Sequence, residues 1–217
     1  MALKVLVTGG AGYIGSHTIV ELLLEGHEVV CLDNFCNSSP RAIDRVIKIC
    51  DNEGLVDPAI TVIEGDIRSE ESINKVFKNH QIDNVIHFAG LKAIGESVEK
   101  PILYYDNNIG GTLQLIQAMQ NAEVFQIVFS STATVYGEPD HLPLSEESPT
   151  KQPTNPYSKS KLIIENILKD VSESDNRWKI ALLRYFNPVG AHPSGLIGEN
   201  PNGIPNNLVP YLSLIHI

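Results

Sequence analysis

Thr8-Gly9-Gly10-Ala11-Gly12-Tyr13-Ile14-Gly15 follows a short apolar run, Lys4 to Val7, and opens a helical pattern from Tyr13 to Glu25. Glycines at 9, 12 and 15 permit a tight turn, close approach of backbone to a pyrophosphate, and close packing of helix on strand. The start of the helix then offers free N–H groups to phosphate. A second strand, Glu28 to Leu32, leads to Asp33, placed 18 residues after Gly15. A carboxylate there accepts hydrogen bonds from an adenosine ribose and repels a 2′-phosphate, which predicts NAD rather than NADP. Glycine turns also merely connect elements, and Asp33-Asn34 also reads as a plain turn. The strand–turn–helix setting favours the nucleotide site.

The same alternation continues outward from that loop. Ser39-Pro40 supplies a cap and first residue for a helix to about Asp51. Thr61 to Ile63 reads as a third strand, and Ser69 caps a helix with Glu70 and Glu71 in its first turn and Ile73, Val76 and Phe77 inward. Asn84 to Phe88 is a fourth strand, Tyr104 to Asn121 a long helix, Phe125 to Ser130 a fifth strand and Lys179 to Arg184 a sixth. Strands apolar on both faces, separated by helices, predict a parallel sheet covered on both sides. The fold class is therefore α/β, a Rossmann-like doubly wound parallel sheet whose ligands sit at the carboxyl ends of the strands. Gly65-Asp66-Ile67 and Phe88-Ala89-Gly90 end the third and fourth strands, where an adenine and a phosphate–ribose edge are expected. Either alone also passes as a strand-end turn. Residues 187–207 are rich in Gly, Pro and Asn without a clear period, and read as an ordered loop or the start of another lobe.

Composition narrows the function. The 217 residues suffice for one α/β domain with a real core and the beginning of a second. A net charge of −10 without Lys/Arg runs argues against a nucleic acid or an anionic membrane as partner. No apolar run reaches the length of a membrane span, and the N-terminus enters a strand at once, leaving no room for a signal peptide. Cys31, Cys36 and Cys50 are odd in number and lack CxxC spacing, as expected of reduced thiols in a cytoplasm. No His/Cys/Asp cluster has metal spacing, so no metal is expected, and no Gly-x-Ser-x-Gly elbow supports serine hydrolysis.

The chemistry centres on Asn155-Pro156-Tyr157-Ser158-Lys159-Ser160-Lys161. Asn155 caps a helix, Pro156 starts it, and Tyr157 and Lys161 fall on one face. A phenol ordinarily loses its proton near pH 10. An ammonium about 5 Å away, at an effective dielectric of about 20, contributes roughly 3 kcal/mol, or about 2.4 pKa units. A second cation completes the shift, and an oxidised nicotinamide is one. Ser130-Ser131-Thr132 ends the fifth strand on the same sheet edge, where a hydroxyl can hold a substrate oxygen while Tyr157 moves its proton. Alone, Tyr-x-x-x-Lys also occurs on solvated helix faces, and strand-end hydroxyls are commonly local caps.

These motifs, with 87–93 (HFAGLKA), 130–137 (SSTATVYG) and 184–188 (RYFNP), resemble the UDP-glucose 4-epimerases of the extended short-chain dehydrogenase/reductase superfamily. The resemblance covers nearly everything from Lys4 to Tyr211. The glycine and Tyr/Lys motifs identify the superfamily, whereas 87–97, 184–195 and 203–208 are specific to the epimerases. It implies interconversion of UDP-glucose and UDP-galactose in galactose metabolism. A tightly held NAD oxidises C4 of the hexose, and the 4-keto sugar rotates before the hydride returns. Tyr157 is the implied base, Lys161 its activator and the holder of the nicotinamide ribose, and Thr132 the group orienting the C4 oxygen. Family members commonly carry serine at that last position, so Thr132 is a departure that keeps the hydroxyl and adds a methyl.

Implied cofactor contacts are Gly9, Gly12, Tyr13, Ile14, Gly15, Asp33, Asn34, Asn37, Ser38, Asp66, Ile67, Phe88, Ala89, Gly90, Lys92, Asn107, Tyr157, Lys161 and Phe186. Lys92, Thr132, Tyr157, Asn187, Asn206, Asn207 and Leu208 match positions that hold the UDP-sugar. Without the resemblance, the later asparagines read as caps in a loop. A homodimer through paired helices is also implied, with the helices after Tyr104 and at Tyr157 as candidates. Residues 1–186 are then an NAD-binding domain and 187–211 the start of a UDP-sugar lobe that family members continue. Residues 212–217 (LSLIHI) can be encoded by a transposon end used in sequencing adapters, and are expected to be a non-native tail on a truncated chain. The rivals are a nucleotide-sugar 4,6-dehydratase, a dehydrogenase, and a non-catalytic NAD-binding protein. Dehydratases place Asp-Glu after the strand-end Thr, where this chain has Ala133-Thr134. Non-catalytic relatives typically lose the tyrosine or the lysine, and both are present.

Overall fold

A computed structural model describes residues 1–200 and 208–215. Six parallel strands form one sheet in the order β3-β2-β1-β4-β5-β6. They are β1 (Lys4–Thr8), β2 (Glu28–Asp33), β3 (Ile60–Glu64), β4 (Asn84–His87), β5 (Gln126–Thr132) and β6 (Lys179–Tyr185). The helices are α1 (Tyr13–Leu24), α2 (Pro40–Asn52), α3 (Glu70–Asn79), α4 (Ile94–Glu99), α5 (Pro101–Tyr104), α6 (Gly111–Asn121), α7 (Pro156–Ser174) and α8 (Leu208–Ile215). The strand order reverses between β1 and β4, which pair from Val5 with Asn84 to Thr8 with His87. A crevice at the carboxyl ends of the strands at such a switch point is where this architecture binds ligands.

The period of two along each strand sorts side chains between two cores. Leu6, Val30, Leu32 and Phe129 face one side, packed with Ile73, Leu115, Met119 and Leu168 from α3, α6 and α7. Val5, Val7, Val29 and Cys31 face the other, against Ile19, Leu23, Ile43 and Val46 from α1 and α2. Coverage fails only at the edges: Val62 on β3 is 42% exposed and Leu183 on β6 is 43% exposed. An edge strand has a neighbour on one side alone, so the expectation of burial on both faces fails for these two, while the inner strands expose no apolar side chain and leave Ile86 and Val128 half-buried.

Two caps act as expected from the sequence. Ser39 accepts from the Arg41 N–H and Asn155 from the Ser158 N–H, each directly before a proline at the first helical position. The long helix expected from Tyr104 to Asn121 is continuous but changes its winding within that span, and a short helical run precedes it. Lys100, which precedes Pro101, leaves the helical region (φ −128°, ψ 57°) and separates α4 from α5. A π-helical segment, Tyr105–Gly110, then precedes α6. Such segments often occur at functional sites. Among the cysteines, Cys31 and Cys50 are buried and Cys36 is exposed.

Candidate active site

The glycine loop is fixed by steric limits. Gly9 has φ +67°, and a Cβ there would lie 2.6 Å from the Ala89 nitrogen. A Cβ on Gly15 would collide with the Gly9 carbonyl oxygen and stand 2.7 Å from Gly10 Cα. Strand β4 and helix α1 can approach the loop only because these side chains are missing. Asp33 ends β2 and is buried. Its Oδ2 accepts from the Ala11 N–H (3.0 Å), and its Oδ1 from the Phe35 N–H (2.9 Å) and the Ser38 hydroxyl (2.8 Å). The carboxylate thus clamps the glycine loop to the turn after β2. Phe35 takes a left-handed φ of 55° in that turn, a backbone cost of about 1–3 kcal/mol of the kind found at ligand sites. Tyr13 and Ile14 open α1, and Asn37 is exposed in the Asp33 turn.

The third and fourth strand ends stand beside it. Asn34 Nδ2 donates to Asp66 Oδ2 (3.1 Å), and Arg68 reaches Asp66 (2.8 Å) and Asp106 (3.0 Å). The Arg68 guanidinium holds the Asp66 carboxyl down at about 2. Ile67 is buried against Gly111. The Phe88 and Ala89 N–H groups donate to the Thr8 carbonyl (3.0 Å each), joining β4's end to β1's. Gly90 faces Asn108 Oδ1 and Lys161 Nζ.

Lys161 is buried and donates to the Ser130 carbonyl (2.8 Å), with its ammonium 4.7 Å from the Phe129 ring centre. Burial lowers it to about 8. Its contacts here are with β5, while burial pushes the Tyr157 phenol up and the neighbouring Thr132 hydroxyl acts the other way. A lowering of Tyr157 by Lys161, expected from their spacing, is not among the effects acting on the phenol.

Several residues around the site have no role assigned from the sequence. His87 is fully buried, bonded through Nδ1 to Thr8 Oγ1 (2.6 Å) and through Nε2 to Thr112 Oγ1 (2.9 Å). Thr112 donates its own proton to the Asn108 carbonyl (2.6 Å), so His87 Nε2 carries a hydrogen and Nδ1 accepts. Burial, then Lys161, lowers this imidazole to about 3. Asn108, one residue past Asn107, donates to the Leu91 carbonyl and the Ser160 hydroxyl, both at 3.0 Å. It accepts from the Leu91 N–H (2.8 Å) and the Asn107 amide (3.0 Å), which ties the π segment to the β4 loop and to α7. Glu165, one turn past Lys161, is fully buried and holds Arg184 of β6 (2.7 Å) and the Ser131 hydroxyl (2.5 Å). The Tyr157/Lys161/Glu165 spacing of four was the available signal for that last group.

Residues 187–199 fold back over the glycine loop. The Tyr13 hydroxyl donates to the Gly190 carbonyl (2.6 Å), Ile197 joins the core of Val5, Val7 and Ile19, and Lys92 pairs with Glu199 (3.1 Å). Phe186 is 61% exposed and Asn187 is exposed. Leu208 begins α8, and Asn206 and Asn207 lie outside the described residues. Among the described residues no His/Cys/Asp/Glu group could hold a metal, and no helix is long and apolar enough to cross a membrane.

The chain matches the NAD dependent epimerase/dehydratase family over residues 5–214. It is 56% identical over 209 residues to the UDP-glucose 4-epimerase of Neisseria meningitidis serogroup B, across 96% of this chain and 60% of the relative. The Bacillus subtilis UDP-glucose 4-epimerase is 54% identical over 215 residues, across 99% of this chain and 61% of the relative. Among solved structures, the UDP-glucose 4-epimerase from Bifidobacterium longum in complex with NAD+ and UDP superposes with a TM-score of 0.92 at 55% identity. That alignment covers 97% of this chain and 61% of the other. The chain therefore spans about three-fifths of the length of the relatives it matches. With the match running from the second residue of β1 to the last turn of α8, this chain belongs to the NAD dependent epimerase/dehydratase family.

Proposed function

We propose that this chain carries the NAD site and the catalytic groups of a UDP-glucose 4-epimerase, which interconverts UDP-glucose and UDP-galactose at C4. The observation that carries this reading is the convergence of Thr132, Tyr157 and Lys161 on the sheet edge that holds the glycine loop, in a chain 54–56% identical to such epimerases. The loop suits a dinucleotide, because the missing Cβ atoms at Gly9 and Gly15 let it turn tightly against the end of β4 and the start of α1, whose free N–H groups favour a pyrophosphate. Asp33 at the end of β2 supports NAD over NADP. Asn34, Asn37, Ser38, Asp66, Ile67, Phe88, Ala89, Gly90, Lys92, Asn107 and Phe186 complete the cofactor set. Residues 1–186 form the NAD-binding domain and 187–211 begin the UDP-sugar lobe, with Asn187, Asn206, Asn207 and Leu208 on the sugar nucleotide.

NAD, when bound, supplies reversible oxidation at C4, and rotation of the 4-keto sugar exchanges the two configurations. The protein's own part is proton movement and positioning. Tyr157 takes the C4 hydroxyl proton and returns it, Thr132 orients the C4 oxygen, and Lys161 holds the nicotinamide ribose. An ammonium near 8 keeps mostly its charge at neutral pH, as that role requires. Ile94, Val98, Ile102, Leu113 and Ile163 are exposed apolar side chains on α4 to α7, which supports pairing of two copies through these helices. Cysteines held as thiols support a cytoplasmic location.

The test uses the gene extended at its native locus to the length of its relatives. UDP-galactose is supplied without added cofactor, and UDP-glucose should appear. Bound NAD without interconversion overturns the reading. Tyr157→Phe should lower turnover by about 10²–10⁴-fold with NAD content unchanged, and full activity in that variant removes the tyrosine from the mechanism.

A further inference from the structure

Thr134 and Ser158 carry hydroxyls that the mechanism above leaves idle, and both lie one step behind Thr132. The Thr134 N–H donates to Thr132 Oγ1 (3.3 Å), capping the 3₁₀ turn 133–136. The Thr134 hydroxyl lies 3.1 Å from the same oxygen. It is also 2.7 Å from the hydroxyl of Ser158, which is fully buried in the first turn of α7 next to Tyr157. A threonine hydroxyl has one proton to donate and two lone pairs to fill. If Thr134 donates both its N–H and its O–H to Thr132, both lone pairs are filled, and the single Thr132 proton has to point away from the turn. The Tyr157 phenol is the group beside it.

We propose that Ser158, Thr134 and Thr132 form a hydroxyl chain of fixed direction, each donating to the next, which commits the Thr132 proton to the Tyr157 oxygen. The chain stabilises the phenolate over the phenol, because a donor that is itself hydrogen-bonded donates more strongly. When Tyr157 takes a proton from substrate, its oxygen still accepts from Thr132 through a remaining lone pair, so the direction of the chain is kept. The threonine at 132 fits this use. Its β-branch restricts χ1, and its hydroxyl holds one direction better than that of a serine. Thr134 and Ser158 are positioning residues in this account, since they act on Tyr157 through Thr132.

The inference rests on the epimerase reading and is tested in the same relative-length protein with NAD bound. Thr134→Val keeps the side-chain shape and removes the hydroxyl. The acid limb of the turnover profile, where Tyr157 must lose its proton, should then move up by about half a pH unit. Turnover below that limb should fall about threefold, with NAD content unchanged. Thr134→Ser should restore the profile. Ser158→Ala added to Thr134→Val should cause no further shift, because the chain is already cut. An unmoved profile in Thr134→Val, a Thr134→Ser profile as displaced as the valine one, or additive shifts in the double variant each overturn the chain. Failure of the unsubstituted protein to interconvert the sugars overturns the function instead. Ultraviolet titration of Tyr157, taken as the difference from Tyr157→Phe, then still reads the Thr134 shift.

Discussion

The carboxyl ends of β1 and β5 lie on one edge of one sheet, yet opposite means build them. At β1 the site is made of backbone and missing side chains. Gly9 and Gly15 leave space, and Asp33 pins the loop through the Ala11 N–H. At β5 it is made of side chains from far along the chain: Thr132 and Ser131 from the strand, Lys161 and Glu165 from α7, and Arg184 from β6. The first kind of site fails when an atom is added and the second when one is removed. A groove of about 530 Å³ runs along β6, lined by Leu144, Leu183, Tyr185 and Phe186 among others.

Adding atoms at the β1 end should act most strongly on the cofactor. In Gly15→Val the new side chain meets the Gly9 carbonyl and Gly10 Cα. Overpacking of about 3 kcal/mol corresponds to a loss of NAD affinity of about 100-fold. Calorimetric titration of cofactor-stripped protein checks this, and wild-type affinity would erase the contrast between the two ends.

Removing atoms at the β5 end comes next. Arg184→Met leaves the buried Glu165 carboxylate without its cation, at a cost of about 3–5 kcal/mol in urea unfolding. Arg184 holds the Glu165 carboxyl below the usual carboxylate range, although burial opposes this. A depressed native pKa gives stability that is present above the unfolded value, about 4.3, and lost as pH falls through the native value. Glu165→Gln should therefore lose less stability on acidification than the wild type.

His87 sits between the two ends and should show the most gradual effect. Its native pKa is lowered to about 3, so on acidification the unfolded chain takes up the proton first. The stability is present above about pH 6.5 and declines between about 6.5 and about 3, at up to about 1.4 kcal/mol per pH unit. His87→Gln should flatten that slope in pH-dependent thermal unfolding. An unchanged slope would mean that another group carries it.

The same contrast explains what could be read in advance. The glycine loop, Asp33, the caps at Ser39 and Asn155 and the placement of Tyr157 and Lys161 on one helix are local patterns, and each element is where its pattern predicts. The two open edge strands, the break at Lys100 and the π segment depend on neighbours or on one proline, so periodicity placed the helix from Tyr104 to Asn121 without its π turn or the short helix before it. Lys161 was read from spacing as a partner of the phenol, but its ammonium reaches the Ser130 carbonyl on the strand it packs against. The Ser131–Glu165–Arg184 group joins three separate elements, and no spacing in the sequence links Arg184 to the other two. Asn108 and His87 resemble any buried asparagine and histidine until the fold brings Leu91, Ser160, Thr8 and Thr112 to them.

The return of residues 187–199 onto the glycine loop also has a consequence in time. Tyr13 meets Gly190, 177 residues later in the chain, and Ile197 closes the core that Val5, Val7 and Ile19 begin. Contacts of such separation form late, after the loop-closure entropy between them has been met. As the chain leaves the ribosome, β1, α1 and β2 can assemble early, but this side of their core stays uncovered until almost two hundred residues have followed. The glycine loop, first in sequence, is therefore among the last parts of the molecule to be finished.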